Sequence, residues 1–170
     1  LSAKHLLIWS EQGVGDEILF ATMFNDLLTQ GAKLAIESDP RLIPMFERSF
    51  PTIKFIPRLR EQHPDLKNME YDFQIPLGSL GQYLRNTEPD FGTGSAFLKA
   101  DDRLSKRLKA KYANKDDLLV GLAWYSSAQR GVAKSIPLQD LRPLFEIENV
   151  QFVDLQYGDR THEREALKND

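Results

Sequence analysis

The sequence contains no cysteine. Disulfides and thiolate metal sites are therefore excluded, and cysteine usage gives no guide to redox compartment. Its three histidines, His5, His63 and His162, are scattered and form no ligand pair, so no zinc site and no other metal site is expected. No apolar run approaches the roughly 20 residues that span a bilayer, and no signal-peptide pattern opens the chain. The expectation is a cytoplasmic protein without a transmembrane segment. Positive charge is not in excess: 22 Lys and Arg stand against 25 Asp and Glu, for a net charge of -3. That argues against nucleic acid as the main partner. The first residue is Leu1 rather than methionine, from which a piece of a longer protein is expected. What is present is enough for a core. The chain has 170 residues, 41% hydrophobic and 28% charged, which suits one ordinary domain or two small ones.

The most informative stretch is Gln12-Gly13-Val14-Gly15-Asp16-Glu17. Before it, His5-Leu6-Leu7-Ile8-Trp9 reads as a buried strand. After it, Ile18, Leu19, Phe20, Met23, Phe24, Leu27 and Leu28 follow helical spacing, which predicts a helix over 16–30 closed by Gly31. A glycine-rich turn between strand and helix is where α/β proteins place ligands, because backbone N–H groups converge there. Here the turn ends in two carboxylates.

Strand and helix continue to alternate. Strands are expected over 33–37, 53–56 and 71–75, each ended by turn residues or proline. Asp39-Pro40 reads as the N-cap and first residue of a short helix through Leu42, Ile43, Met45 and Phe46. The charged 58–70 stretch reads as loop or weak helix, a short helix follows Ser79, and 86–95 reads as irregular loop. Leu104, Leu108 and Tyr112 then mark an amphipathic linker helix. Its outer face carries Arg103, Lys106, Arg107, Lys109 and Lys111, and suits either solvent or a phosphate-rich partner. A second module starts with a buried-strand pattern at 118–124. A polar loop follows, then a helix opened by Pro137 through Phe145, a strand over 150–155, and a helix from Thr161. One βαβ unit cannot bury both faces of its sheet. The expected organisation is a complete domain over 1–100, a linker helix over 101–117 and an incomplete domain over 118–170. An exposed sheet edge there would invite self-association.

The first loop meets the dinucleotide fingerprint only in part. Gly13 and Gly15 fit, and Glu37 ends the second strand at about the right distance. Ile18, however, stands where a small residue is needed, and Asp16 and Glu17 occupy the place of the pyrophosphate. Asp16 can instead be a base for a hydroxyl proton, or an ordinary first-turn acid that suits the positive end of the helix. The glycines let another molecule approach the backbone. In the second loop, Ser126, Ser127, Arg130 and Lys134 lie between strand and helix, with hydroxyls and cations suited to a diphosphate or simply to solvent. This loop is not a P-loop, because Ala133 precedes Lys134.

Taken together, several stretches resemble one family. They are Trp9-Ser-Glu-Gln-Gly-Val-Gly-Asp-Glu-Ile-Leu-Phe-Ala, Glu37-Ser-Asp-Pro-Arg-Leu-Ile-Pro-Met-Phe, Ile75-Pro-Leu-Gly-Ser-Leu, Val120-Gly-Leu-Ala-Trp, Lys134-Ser-Ile-Pro-Leu and Phe152-Val-Asp-Leu-Gln-Tyr-Gly-Asp. They resemble the glycosyltransferase-like region of bacterial tetratricopeptide-repeat proteins, itself similar to the lipopolysaccharide heptosyltransferases. The resemblance covers nearly the whole chain. It implies an α/β chain with the Rossmann-like N-terminal domain of a GT-B fold, followed by the first βαβ unit of a second Rossmann-like domain. It implies an inverting transfer from a nucleotide-sugar donor to a sugar, lipid-linked or protein acceptor. Gly15-Asp16 matches the family's Gly-Asp pair, making Asp16 the general base, with Gln12, Gly13, Gly15 and Glu17 in the acceptor loop. Ser126, Ser127, Arg130 and Lys134 take the donor phosphates, and Tyr157, Gly158 and Glu163 correspond to the nucleoside pocket. No D-x-D triplet occurs, which fits a diphosphate held by cations without a metal cofactor. The alternative is a non-catalytic module of the same fold used for binding or as a scaffold. The chain by itself is expected to be inactive, because the later strands of the donor domain are missing from it.

Overall fold

The computed structural model describes residues 1–92, 94, 96–112, 117–126 and 132–168. It divides into two compact units, Leu1–Asp101 and Asp102–Asp170.

The first unit is built on four parallel strands. Strand β1 is His5–Trp9, β2 is Lys33–Ser38, β3 is Lys54–Pro57 and β4 is Phe73–Pro76. Their order across the sheet is β3-β2-β1-β4, so the direction of growth reverses at β1. Parallel strands covered on both faces need apolar side chains on both, which is why Leu6-Leu7-Ile8 reads as an unbroken run. Leu6 and Ile8 face one layer with Leu34, Ile36 and Phe55, while Leu7 turns to the other with Ile56 and Leu66.

The larger layer is packed by helices α1 (Val14–Phe20), α2 (Phe24–Thr29) and α3 (Ile43–Ser49). Phe24 sits at its centre, 0% exposed, with Phe46, Phe50 and Phe55 at ring-centroid distances of 6.0, 5.3 and 6.3 Å. The single helix expected over 16–30 starts earlier and is broken into α1 and α2 by a 3-10 turn, Ala21–Met23. The Thr22 hydroxyl donates to the Leu19 carbonyl at 2.8 Å at this break, a contact that competes with regular helix bonding. Gly31 closes the run in the left-handed region, φ 77°. The opposite layer carries the single turn α4, Pro64–Lys67, whose Asp65 N–H is accepted by His63 Nδ1. A 3-10 turn, Leu77–Leu80, and α5, Gly81–Leu84, follow β4.

Two expectations are corrected here. Asp39-Pro40 does not open a helix: α3 is capped at Leu42, and Pro44 stands within its first turn. Asp39 instead forms a turn in which its carboxylate takes the Arg41 N–H at 2.9 Å. The fourth strand begins two residues late, because the Asp72 carboxylate binds the His5 N–H and the Lys4 ammonium, both at 2.8 Å.

The second unit holds α6 (Asp102–Tyr112) and a two-stranded parallel sheet of β5 (Leu118–Leu122) and β6 (Val150–Asp154). A 3-10 turn at Leu138–Leu141 leads into α7, Arg142–Phe145, and α8 is Thr161–Lys168. The helix expected from Pro137 is split because Pro143 lacks the N–H that a continuous helix needs and so starts a new one. Among the described residues of the second unit, Trp124 and Leu138 are the buried hydrophobic ones, while Leu118, Ile136, Ile147 and Leu155 are exposed. Among the described residues, no helix is long and apolar enough to cross a membrane.

Candidate functional site

The carboxyl ends of β1, β2 and β3 gather a polar cluster. From the loop after β1 come Ser10, Glu11, Gln12 and Gly13, and from the first turn of α1 come Gly15, Asp16 and Glu17. From the end of β2 come Glu37 and Ser38, and from just beyond β2 and β3 come Asp39 and Arg58. This is the end of a parallel sheet at which α/β folds bind ligands, most often where the strand order reverses. Gln12, Gly13, Gly15 and Asp16 are all exposed there. One Asp16 carboxylate oxygen accepts the Gly13 N–H at 3.2 Å. The other makes no hydrogen bond with a described residue.

Glu17 behaves differently from the loop residue it was expected to be. Its side chain is 1% exposed and points inward. Oε2 accepts the Ser38 hydroxyl at 2.7 Å and the Asp39 N–H at 3.0 Å, and Oε1 lies 3.3 Å from the Arg58 guanidinium. The physical reason is helical phase, since Asp16 and Glu17 are adjacent and so face about 100° apart. A buried carboxylate persists only when paired and hydrogen-bonded, and this one is both. Arg58 lies in no motif, and Ser38, Glu11 and Gly78, though within the family-like stretches, carry no role in the resemblance; all four stand at or just beyond strand ends, where the topology rule would have located them. Gly78 lies where the turn after β4 closes on the side chains of the loop. Its N–H donates to Glu11 Oε1 at 3.2 Å, and an added Cβ would lie 2.8 Å from Gln12 Nε2.

Two carboxylates at these strand ends are shifted in opposite directions. Arg41, through side-chain and backbone hydrogen bonds, holds Asp39 at about 2, so its share of stability is present above 3.8 and lost as pH falls through that lower value. Burial pushes Glu37 above its ordinary 4.5. Arg58 opposes the rise, neighbouring Glu17 adds to it and His63 opposes it. A raised carboxyl gives its stability below the unfolded value and loses it as pH rises through the folded one. Glu37→Gln is therefore expected to raise the thermal midpoint at pH 7 and to leave it at the wild-type value at pH 4. Equal shifts at both pH values in differential scanning calorimetry would refute this.

In the second unit the loop after β5 is tied back by a side chain that imitates a strand. Gln156 Oε1 accepts the N–H groups of Trp124 and Tyr125 at 2.9 and 2.8 Å, and its Nε2 donates to the Tyr125 carbonyl at 3.0 Å. Ser126 is half-buried and its N–H donates to Ser135 Oγ at 2.9 Å. Lys134 is exposed at the end of a short 3-10 turn, while Ser127 and Arg130 lie outside the described residues. Glu163 Oε2 accepts the Trp124 indole N–H at 2.6 Å, and Oε1 lies 3.6 Å from Arg160. Glu163 lines a cavity of about 460 Å3 together with Tyr125, Ser135, Ile136, Pro137 and Leu138. The structure thus brings Glu163 close to the residues that hold Ser126. Tyr157 stays away from that cavity, 82% exposed, and Gly158 takes the left-handed conformation beside it, φ 85°. Among the described residues, no group of three or more histidine or carboxylate side chains is gathered as a metal ion would require.

No family model matches the chain, and no solved structure matches it. One curated protein does. The chain is similar to protein FlbA of Caulobacter vibrioides. The two are 34% identical over 175 positions, covering 94% of this chain and 29% of FlbA. The chain therefore spans less than a third of FlbA's length. With so little of the chain unmatched, the similarity to FlbA must run through both compact units.

Proposed function

We propose that the chain is part of an inverting, metal-independent glycosyltransferase of the GT-B type, similar to the bacterial lipopolysaccharide heptosyltransferases. In this reading the first unit receives the acceptor and the second holds a nucleotide-sugar donor. The observation that supports it best is the place of Asp16. It stands exposed on a glycine loop at the carboxyl end of β1, beside the reversal of strand order, with one oxygen engaged by Gly13 and the other turned to no described partner. The acceptor hydroxyl gives its proton to Asp16. Its oxygen attacks the anomeric carbon on the face opposite the diphosphate, the bond to the diphosphate oxygen breaks, and the configuration inverts. Lys134, with Arg130 and the Ser126-Ser127 hydroxyls, stabilises the departing diphosphate. Glu163, with Tyr157 and Gly158, contacts the nucleoside.

One observation favours a non-catalytic scaffold instead: the Asp16–Gly13 contact is also what an ordinary capping carboxylate makes at a helix start. Titration calorimetry of the full-length protein with a panel of nucleoside diphosphates and nucleotide sugars separates the two. A transferase is expected to bind at least one of them with a dissociation constant of about 1 mM or tighter. Silence across the panel would overturn the transferase and leave the scaffold.

A further inference from the structure

Arg58 follows β3 directly, and β2 separates that strand from β1. Its Nη1 nevertheless reaches the β1 loop and donates to the carbonyls of Ser10 at 3.2 Å and Gln12 at 3.0 Å. These carbonyls flank Glu11 and stand immediately before Gly13. Its Nη2 faces buried Glu17 at 3.3 Å, and that carboxylate's other oxygen is tied to Ser38 and Asp39 at the end of β2. Three strand ends and the first turn of α1 are therefore linked through one guanidinium and one carboxylate. A loop with two glycines has wide backbone freedom, so its own residues do not select one shape.

We propose that Arg58 and Glu17 are positioning residues. Together they set the backbone of the 12–16 loop and so determine where Asp16 stands. The consequence for transfer rests on the function proposed above; the consequence for the loop rests on geometry alone. Arginine suits the task because its rigid fork serves two carbonyls and a carboxylate at once, whereas the single ammonium of lysine cannot hold all three. Glu17 suits it because Oε1 has no hydrogen-bond partner of its own, so the guanidinium is what balances that buried oxygen.

The test compares Arg58→Ala, Arg58→Lys and Glu17→Gln in the full-length protein with Leu34→Ala, which truncates a buried core residue away from the loop. Amide exchange of Gly13, whose N–H is bonded to Asp16, reports on the loop. Arg58→Ala is expected to speed that exchange by roughly tenfold or more beyond any change in Leu34→Ala, with partial rescue by Arg58→Lys. In the transfer assay the same variants are expected to lower kcat by about tenfold or more while the KM for the nucleotide sugar stays unchanged. Should Arg58→Ala fail to fold, Glu17→Gln carries the comparison, since it keeps the shape while removing the charge and turning one of the two acceptor oxygens into a donor. Loop exchange no faster than in Leu34→Ala overturns the inference, whatever the transfer assay shows. Selective exchange without any transfer in the unaltered protein upholds the positioning role and defeats the transferase reading.

Discussion

In the full-length protein, Asp16→Asn is expected to lower sugar transfer by about 10²–10⁴-fold, the usual contribution of a general base. The substitution is chosen because it separates chemistry from folding. An asparagine carbonyl can still accept the Gly13 N–H that Asp16 accepts at 3.2 Å, so the start of α1 keeps its cap. An amide, however, cannot take a proton from an attacking hydroxyl at neutral pH. In the proposed reading nucleotide binding falls to the other unit and is expected to persist, which calorimetry with the nucleoside diphosphate would show beside the rate. The loss should fall in kcat rather than in the KM for the donor. Unchanged turnover in Asp16→Asn would remove Asp16 from the chemistry. A loss of turnover accompanied by a comparable fall in thermal midpoint would mean that capping, not base catalysis, was its role.

Phe24→Ala is expected to cost the first unit about 3–5 kcal/mol. Phe24 is wholly buried where α2 meets the sheet and makes edge contacts with Phe46 and Phe50 as well as a tilted contact with Phe55. Removing the ring loses the transfer term and leaves a cavity whose walls are large aromatic side chains, themselves packed against one another. Phe46 and Phe55 stack at 5.5 Å and cannot collapse into the gap without breaking that contact. Domains of this size are stable by only about 5–15 kcal/mol, so the variant should sit near its unfolding threshold. Urea denaturation followed by the fluorescence of Trp9, with Trp124 of the other unit replaced by Phe in both proteins compared, gives the measurement, because Trp9 ends β1 within this unit. A loss below about 1 kcal/mol would show that the aromatic cluster can repack, contrary to the close packing of cores.

The strands were the most legible part of the sequence. Leu6-Leu7-Ile8 and Leu34-Ala35-Ile36 are short apolar runs bounded by turns, and a parallel sheet covered on both faces needs such runs. The glycine loop was legible too, because it lies between two elements whose periods differ. Asp39-Pro40 misled for a local reason. It has the composition of a helix start, but the Asp39 N–H is taken by Glu17, 22 residues earlier, and its carboxylate by Arg41. No local rule contains that contact. Gln156 was missed for the same reason: its partners at Trp124 and Tyr125 are more than 30 residues away.

The sequence alone determined the alternation of strand and helix, the two loops that follow β1 and β5, and the acid and cations carried by them. These depend on side-chain period, glycine freedom and turn chemistry, all of which act over a few residues. Tertiary structure alone decided that Asp16 faces outward while Glu17 faces in. It also decided that Arg58 crosses β2 to reach the loop, and that Glu163 meets Trp124 beside a cavity. Those outcomes follow from strand order, which sets the strand ends that become neighbours, and neighbouring ends are where charge and hydrogen bonds must balance.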